Sequence, residues 1–250
     1  MLTLRLFTAL AGFGAAIGLW RIYRAAPENS KFRSLFCGLL TVLGTLAGAR
    51  TGYVLAHSLY YSLHPEQVGQ FWLGGFNAFG ALAGAVLFTL LAAAVLRMRV
   101  LPTLDLASRM MLAMATFVWL GLWYEGVAYG QARPSGTFFT LPAPDETGML
   151  VNRFPLQLIA AVSLLLLLGL MEHLTKLNRP GFRFALVGLG FSAHTLVFSI
   201  FRADPVSPIQ GISSDGFFSL LSAVLFALLA VVLLLPASRK RDKMKPEESA

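Results

Sequence analysis

The sequence predicts an all-α membrane protein: a bundle of seven transmembrane helices, N-terminus outside and C-terminus cytoplasmic. Three observations predict it. Seven apolar segments are long enough to cross hydrocarbon, which takes about 20 residues at about 1.5 Å each. Of 250 residues, 56% are hydrophobic and 13% charged, where a soluble domain carries about 25% charge. Lysine and arginine gather in alternate connections, as cytoplasmic loops do.

The segments run over 3–20, 34–56, 74–96, 107–129, 155–174, 183–201 and 216–236. The first follows Met1 with only Arg5 near its start, and more positive charge follows it than precedes it. That is the reverse of a cleaved signal peptide, so it reads as a retained helix. The second carries Gly44, Gly48 and Gly52, and the third Gly80 and Gly84. Small residues at this spacing let membrane helices approach closely. The first connection holds Arg21, Arg24, Lys31 and Arg33; the third holds Arg97 and Arg99; the fifth holds Lys176, Arg179 and Arg183. The second, from His57 to Phe71, has neither lysine nor arginine. Odd connections are therefore inside, and seven spans satisfy that orientation. Residues 1–236 form the transmembrane domain, and 237–250 read as a disordered, basic cytoplasmic tail.

The net charge of +8 sits in short loops between spans, so it signals orientation and gives no reason to expect nucleic acid. Cys37 is the single cysteine, which excludes an internal disulfide and a cysteine-rich metal cluster. No His, Asp or Glu pair has metal-ligand spacing, and no cofactor is expected.

The orientation places the interrupting polar residues at one depth. Arg50 and Tyr53 lie in the outer part of the second span. Asn77 opens the third after Gly74 and Gly75. Glu125 and Tyr129 close the fourth, Arg153 and Gln157 open the fifth, and Arg202 and Asp204 end the sixth. Ionisable groups inside a membrane are functional candidates by default. Clustered guanidinium groups suit a phosphate, because their forked donors match its oxygens. The phosphate available at that depth belongs to a phospholipid. The outer connections 131–152 and 202–215, rich in Gly, Pro and Ser, are placed to cover a site or receive a polypeptide. His57 and His64 read as interfacial residues, His194 as a hydrogen-bonded residue inside the bundle, and Glu172 and His173 as the inner close of the fifth span.

The same segments resemble the prolipoprotein diacylglyceryl transferase family. LAGARTGYVLAH is similar to its G-G-R-x-G-Y-V-L-F-Y run, and FWLGGFNAFGALAGA to its W-x-G-G-x-S-F-H-G-G-L-I-G stretch. GLWYEGVAYGQ, RFPLQL and FRADP resemble three further motifs, in the family's order, over residues 44–225. The resemblance implies a bacterial inner-membrane enzyme. It would move the diacylglyceryl group of phosphatidylglycerol, or a similar anionic phospholipid, to the cysteine of a lipoprotein signal peptide. Arg50, Tyr53, Arg153, Gln157 and Arg202 would bind the phospholipid. The sequence departs from the family pattern at central positions. Phe79 stands where the motif has histidine, Trp119 where an arginine precedes the central motif, and Leu122 where that motif has Cys or Asn. Thr195 and Ser199 replace an Arg and a Glu, and Ala160 replaces a Glu. Glu125 is then the candidate base. The alternative reading is a membrane protein that binds a phospholipid or lipoprotein without catalysis.

Overall fold

The structure is a computed structural model that describes residues 2–134, 136–144, 147–174, 179–204, 208–209 and 212–235. The tail 237–250 lies outside the described residues. Seven helices are long and apolar enough to cross a membrane. They are α1 (Leu2–Ala25), α2 (Lys31–Ala56), α4 (Ala78–Val95), α5 (Val100–Glu125), α6 (Leu156–Leu174), α7 (Phe182–Phe201) and α8 (Ser214–Leu234). A short α3 (Ser58–Leu63) lies between α2 and α4. The described residues also include two small antiparallel hairpins: β1 (Leu141–Pro144) with β2 (Leu150–Arg153), and β3 (Pro208–Ile209) with β4 (Ile212–Ser213). The protein is an all-α membrane protein. Large apolar side chains cover its outside, Val95 and Leu166 more than two-thirds exposed among them, as helices facing lipid require.

Successive spans are antiparallel. The end of the bundle holding Ala56, Ala78, Glu125, Leu156 and Phe201 is called the upper end, and the opposite end the lower.

Several boundaries differ from the sequence reading: the first span runs on to Ala25, five residues beyond 20, and the third and fourth spans shift as well. The third span begins at Ala78, four residues late, because Gly74 and Gly75 take positive φ of 76° and 74°. Asn77 then caps the helix, its side chain accepting from Gly80 N at 2.8 Å. The fourth span begins at Val100 and ends at Glu125. Pro102 falls in its first turn, where a missing N–H costs nothing, and Gly126 closes it with a φ of 67°.

The glycine pattern is explained by α2 against α4. A Cβ on Gly48 would lie 2.2 Å from Gly80 O, and one on Gly84 2.1 Å from Gly44 O. The two backbones touch, so even a methyl group has no room. One polar tie lies in this contact, Thr41 Oγ1 to Thr89 Oγ1 at 2.8 Å. On the other side of the bundle α1 runs against α5, with Gly14 and Gly18 against Phe117 and Met110. The largest core cluster joins α5, α6 and α7 through Leu112, Trp119, Ala160, Leu164 and Val187.

Gly48→Ala is expected to lower thermal stability in detergent by about 1–3 kcal/mol, the usual cost of overpacking. Gly12→Ala, which meets nothing within 4 Å, is expected to be neutral or stabilising, because Ala favours helix by up to about 1 kcal/mol over Gly. Melting curves of the two variants check both.

Candidate functional site

Two polar knots occupy the upper end. The first is built on Arg50, which is 3% exposed. Its Nε donates to Val68 O at 3.0 Å. Nη1 donates to Gly74 O at 2.5 Å and Gly75 O at 3.4 Å, and Nη2 to Gln67 O at 2.5 Å. The guanidinium also sits 5.3 Å from the centre of the Tyr61 ring. The backbone of 67–75 bends through short 3-10 turns, and unsatisfied carbonyls near hydrocarbon are costly. Arg50 donates to four carbonyls of this segment at once, one of which, Gln67 O, also accepts from Gln70 N. Tyr53, one turn on, stacks on His57 at 4.1 Å and packs on Gly75, where a Cβ would come within 2.5 Å of its ring.

The second knot surrounds the segment that follows α5. Gly126 and Ala128 both take positive φ, 67° and 56°, and turn the chain sharply; for alanine this conformation is strained. Gln157, 1% exposed, holds the turn by donating from Nε2 to Val127 O at 2.9 Å. Asp204 Oδ2 accepts from Ala128 N at 3.3 Å, and Ala203 N donates to Tyr129 O at 2.9 Å. Beyond it, Arg133 N donates to Asn152 O and Phe154 N to Gln131 O. Gly130 permits this crossing, because a Cβ there would lie 2.5 Å from Phe154 O. Segment 126–133 is thus sewn to β2 on one side and to the end of α7 on the other.

The five expected lipid-binding residues do not form one ring. Arg153, Gln157 and Arg202 share the second knot, whereas Arg50 and Tyr53 build the first. The Arg153 guanidinium lies 4.1 Å over the Tyr129 ring, a cation–π contact. Arg202 is held by two carboxylates: Nε and Nη2 donate to the Asp204 oxygens at 2.8 and 2.5 Å, and Nη1 donates to Asp215 Oδ2. Burial disfavours the Arg202 charge, but the two carboxylates outweigh it and hold its proton more tightly than usual. The sequence reading missed Asp215 as a partner. Its signal was present: an acid in the first turn of α8, where the helix dipole favours negative charge.

Glu125 ends α5, two residues before the carbonyl that Gln157 holds. Its Oε1 and the Oε1 of Gln157 are buried without a hydrogen-bond partner among the described residues. Buried acceptors of this kind are rare and ask for a donor. An open apolar groove of about 740 Å³ runs between the hairpin arm and α6, lined by Phe139, Leu141, Pro155, Leu158, Ile159 and Val162 among others. Gln157, on the same helix, is buried on the other side, toward the bundle interior.

Comparison with known proteins decides the family. The pattern of the family described as prolipoprotein diacylglyceryl transferase matches residues 1–235. The chain belongs to this family. It is 32% identical over 139 residues to the phosphatidylglycerol–prolipoprotein diacylglyceryl transferase of Bacillus licheniformis, covering 54% of this chain and 51% of that protein. To the protein of the same name from Anaplasma marginale it is 28% identical over 188 residues, 72% of this chain and 64% of the relative. To that of Methylocella silvestris it is 30% identical over 170 residues, 65% and 60%. The matches thus span about half to two-thirds of the relatives' own lengths.

The positions that depart from the family pattern are packed against apolar and aromatic neighbours or bonded within their own helices, and Trp119, Leu122 and Ala160 share one core cluster. Trp119, 8% exposed, meets His194 edge-on at 6.2 Å and Phe198 at 5.9 Å. His194 stacks on Phe198 at 4.4 Å, and its Nε2 lies 2.8 Å from Ser163 Oγ and 3.2 Å from Ala160 O. Ala160 is fully buried. Thr195 and Ser199 donate to carbonyls of their own helix, and Phe79 packs on Phe218 at 5.6 Å. Burying an unpaired charge is costly, and this chain has aromatic and small residues at these places instead.

Arg50→Lys keeps the charge but loses the planar fork that reaches four carbonyls. The variant is expected to increase amide hydrogen exchange across 67–77 by at least tenfold, with exchange in the middle of α6 unchanged.

Proposed function

We propose that this chain is a diacylglyceryl transferase of the bacterial inner membrane, with its upper end outside. It moves the diacylglyceryl group of phosphatidylglycerol, or a similar anionic phospholipid, to the cysteine of a lipoprotein signal peptide. Family membership supplies the reaction class. The observation that carries the reading to this site is the pair of buried oxygens without a partner among the described residues, Oε1 of Glu125 and Oε1 of Gln157, the second on a helix whose start also lines an apolar groove through Pro155, Leu158 and Ile159. Such a groove suits acyl chains, and the polar side chains suit a headgroup.

In this reading Glu125 accepts the proton of the cysteine thiol. The thiolate attacks the diacylglyceryl carbon that carries the phosphate ester. A C–S bond forms, the C–O bond to phosphate breaks, and glycerol phosphate leaves with the electron pair. Arg153 and Gln157 contact the headgroup, and Tyr53 borders it from the first knot. Arg50 and Arg202 act through position, because carbonyls and carboxylates already hold their donors. They keep the two bent segments in place, and a headgroup reaches Arg202 only by competing with Asp204 and Asp215. The second reading, lipid binding without turnover, is favoured by the apolar packing of Phe79, Trp119 and Ala160 at the departed positions.

Mass spectrometry of a lipobox peptide incubated with the protein in phosphatidylglycerol liposomes separates the two. Transfer predicts a mass gain of one diacylglyceryl unit, abolished by alkylating the cysteine. Glu125→Gln is expected to lower turnover by about 10²–10⁴-fold, the usual worth of a general base, while lipid still binds. No mass gain, beside an active relative in the same liposomes, would leave binding alone.

A further inference from the structure

The lower end carries a second polar constellation, far from the groove. It gathers one charged residue from each of α1, α5, α6 and α7. Arg21 Nη2 and Arg183 Nη2 both donate to Glu172 Oε1 at 2.5 Å. Arg109 Nη1 lies 3.7 Å from Glu172 Oε2, an ion pair without a hydrogen bond. Arg21 Nε also donates to Arg109 O at 2.9 Å. Arg109 leaves α5 nine residues above its start, about 14 Å at 1.5 Å per residue. Helical side chains lean toward the N-terminus, so Arg109 is directed down toward the others.

The charges do not balance. Three guanidinium groups share one carboxylate. The next nearest acid, Asp105, spends its oxygens on backbone donors, Gly181 N at 2.6 Å and Phe184 N at 2.8 Å. Even counting Asp105 in full, three arginines against two acids leave one positive charge in excess among the described residues. The excess is also local. Arg109 is the guanidinium left without a strong acceptor, and its side chain is 32% exposed, beside a Glu172 that is 39% exposed. The cluster therefore opens at the bundle surface, near the lower ends of α1, α6 and α7. Uncompensated positive charge in a low-dielectric setting is costly unless an anion shares it. Forked N–H donors from several arginines match phosphate oxygens.

We propose that Arg109, with Arg21 and Arg183 behind it, binds the phosphate of an anionic phospholipid in the lower leaflet, and that Glu172 competes with that phosphate for the same donors. The site is separate from the transferase reading and stands without it. Glu172 also sets the affinity: with the carboxylate present the site holds lipid weakly and reversibly, and the arginines stay paired when it is empty.

Native mass spectrometry of the full chain titrated with cardiolipin tests this. Arg109→Gln is expected to weaken binding about fivefold, the share of one charge near a membrane surface. Glu172→Gln is expected to strengthen it by at least as much. Arg24→Gln, an exposed lower-end arginine outside the cluster, is expected to leave it unchanged. A merely structural tie of four helices predicts the opposite for Glu172→Gln, since losing the shared carboxylate would only loosen the cluster. If millimolar inorganic phosphate displaces cardiolipin with the same order of variants, the phosphate chemistry stands and free phosphate is the occupant. Weaker binding in Glu172→Gln, or no difference between Arg109→Gln and Arg24→Gln, would overturn the proposal. Should Glu172→Gln fail to fold, Arg109→Gln decides alone, because among the described residues the Arg109 side chain makes an ion pair with Glu172 and no hydrogen bond whose loss would unfold the cluster.

Discussion

Backbone that bends at the membrane boundary must have its peptide groups satisfied, and much of the upper end follows from that constraint. Two segments bend there, 67–75 and 126–133. Arg50 serves the first by donating to four carbonyls. Gln157 from α6 and Asp204 from the segment after α7 serve the second, and strand-like pairing with 152–154 completes it. Polar residues converge at one depth because the bent backbone is at that depth. Satisfaction is incomplete at two buried oxygens, Oε1 of Glu125 and Oε1 of Gln157, which have no partner among the described residues.

The same principle separates support from chemistry among the arginines. A guanidinium whose donors are spent on carbonyls is a strut. One held by two carboxylates is nearly neutralised to a distant anion, and the Arg202 knot is even net negative when Asp204 and Asp215 are counted together. Arg153 lies over the Tyr129 ring. The lower end inverts the balance, with more arginine than acid. The bundle thus carries an acid-rich knot at one end and a cation-rich one at the other.

Much of this architecture was legible in the sequence. Seven apolar runs gave seven spans because nothing soluble needs them. The fourfold glycine spacing marked the α2–α4 contact, since only glycine permits backbones to touch. Arg50, flanked by apolar residues, had to be partnered within the protein. What was not legible depended on distance in the chain. The carbonyls that Arg50 serves lie 17 to 25 residues away, and Asp215 reaches Arg202 only after the chain re-enters at α8. The hairpin of β1 and β2 was hidden too, because Leu-Pro-Ala-Pro has no strand signature and pairs only as an edge. The cluster around Glu172 was read as a helix end, since its three arginines come from three different helices.

In the proposed function a phospholipid headgroup sits at Arg153, Gln157 and Glu125. A phosphatidylglycerol with a photoactivatable headgroup, cross-linked in proteoliposomes and mapped by peptide mass spectrometry, tests it most directly. The account predicts label concentrated in 125–133 and 153–157, displaced by unlabelled phosphatidylglycerol. Label confined to the lower end, or spread evenly over the lipid-facing helices and insensitive to competitor, would contradict it.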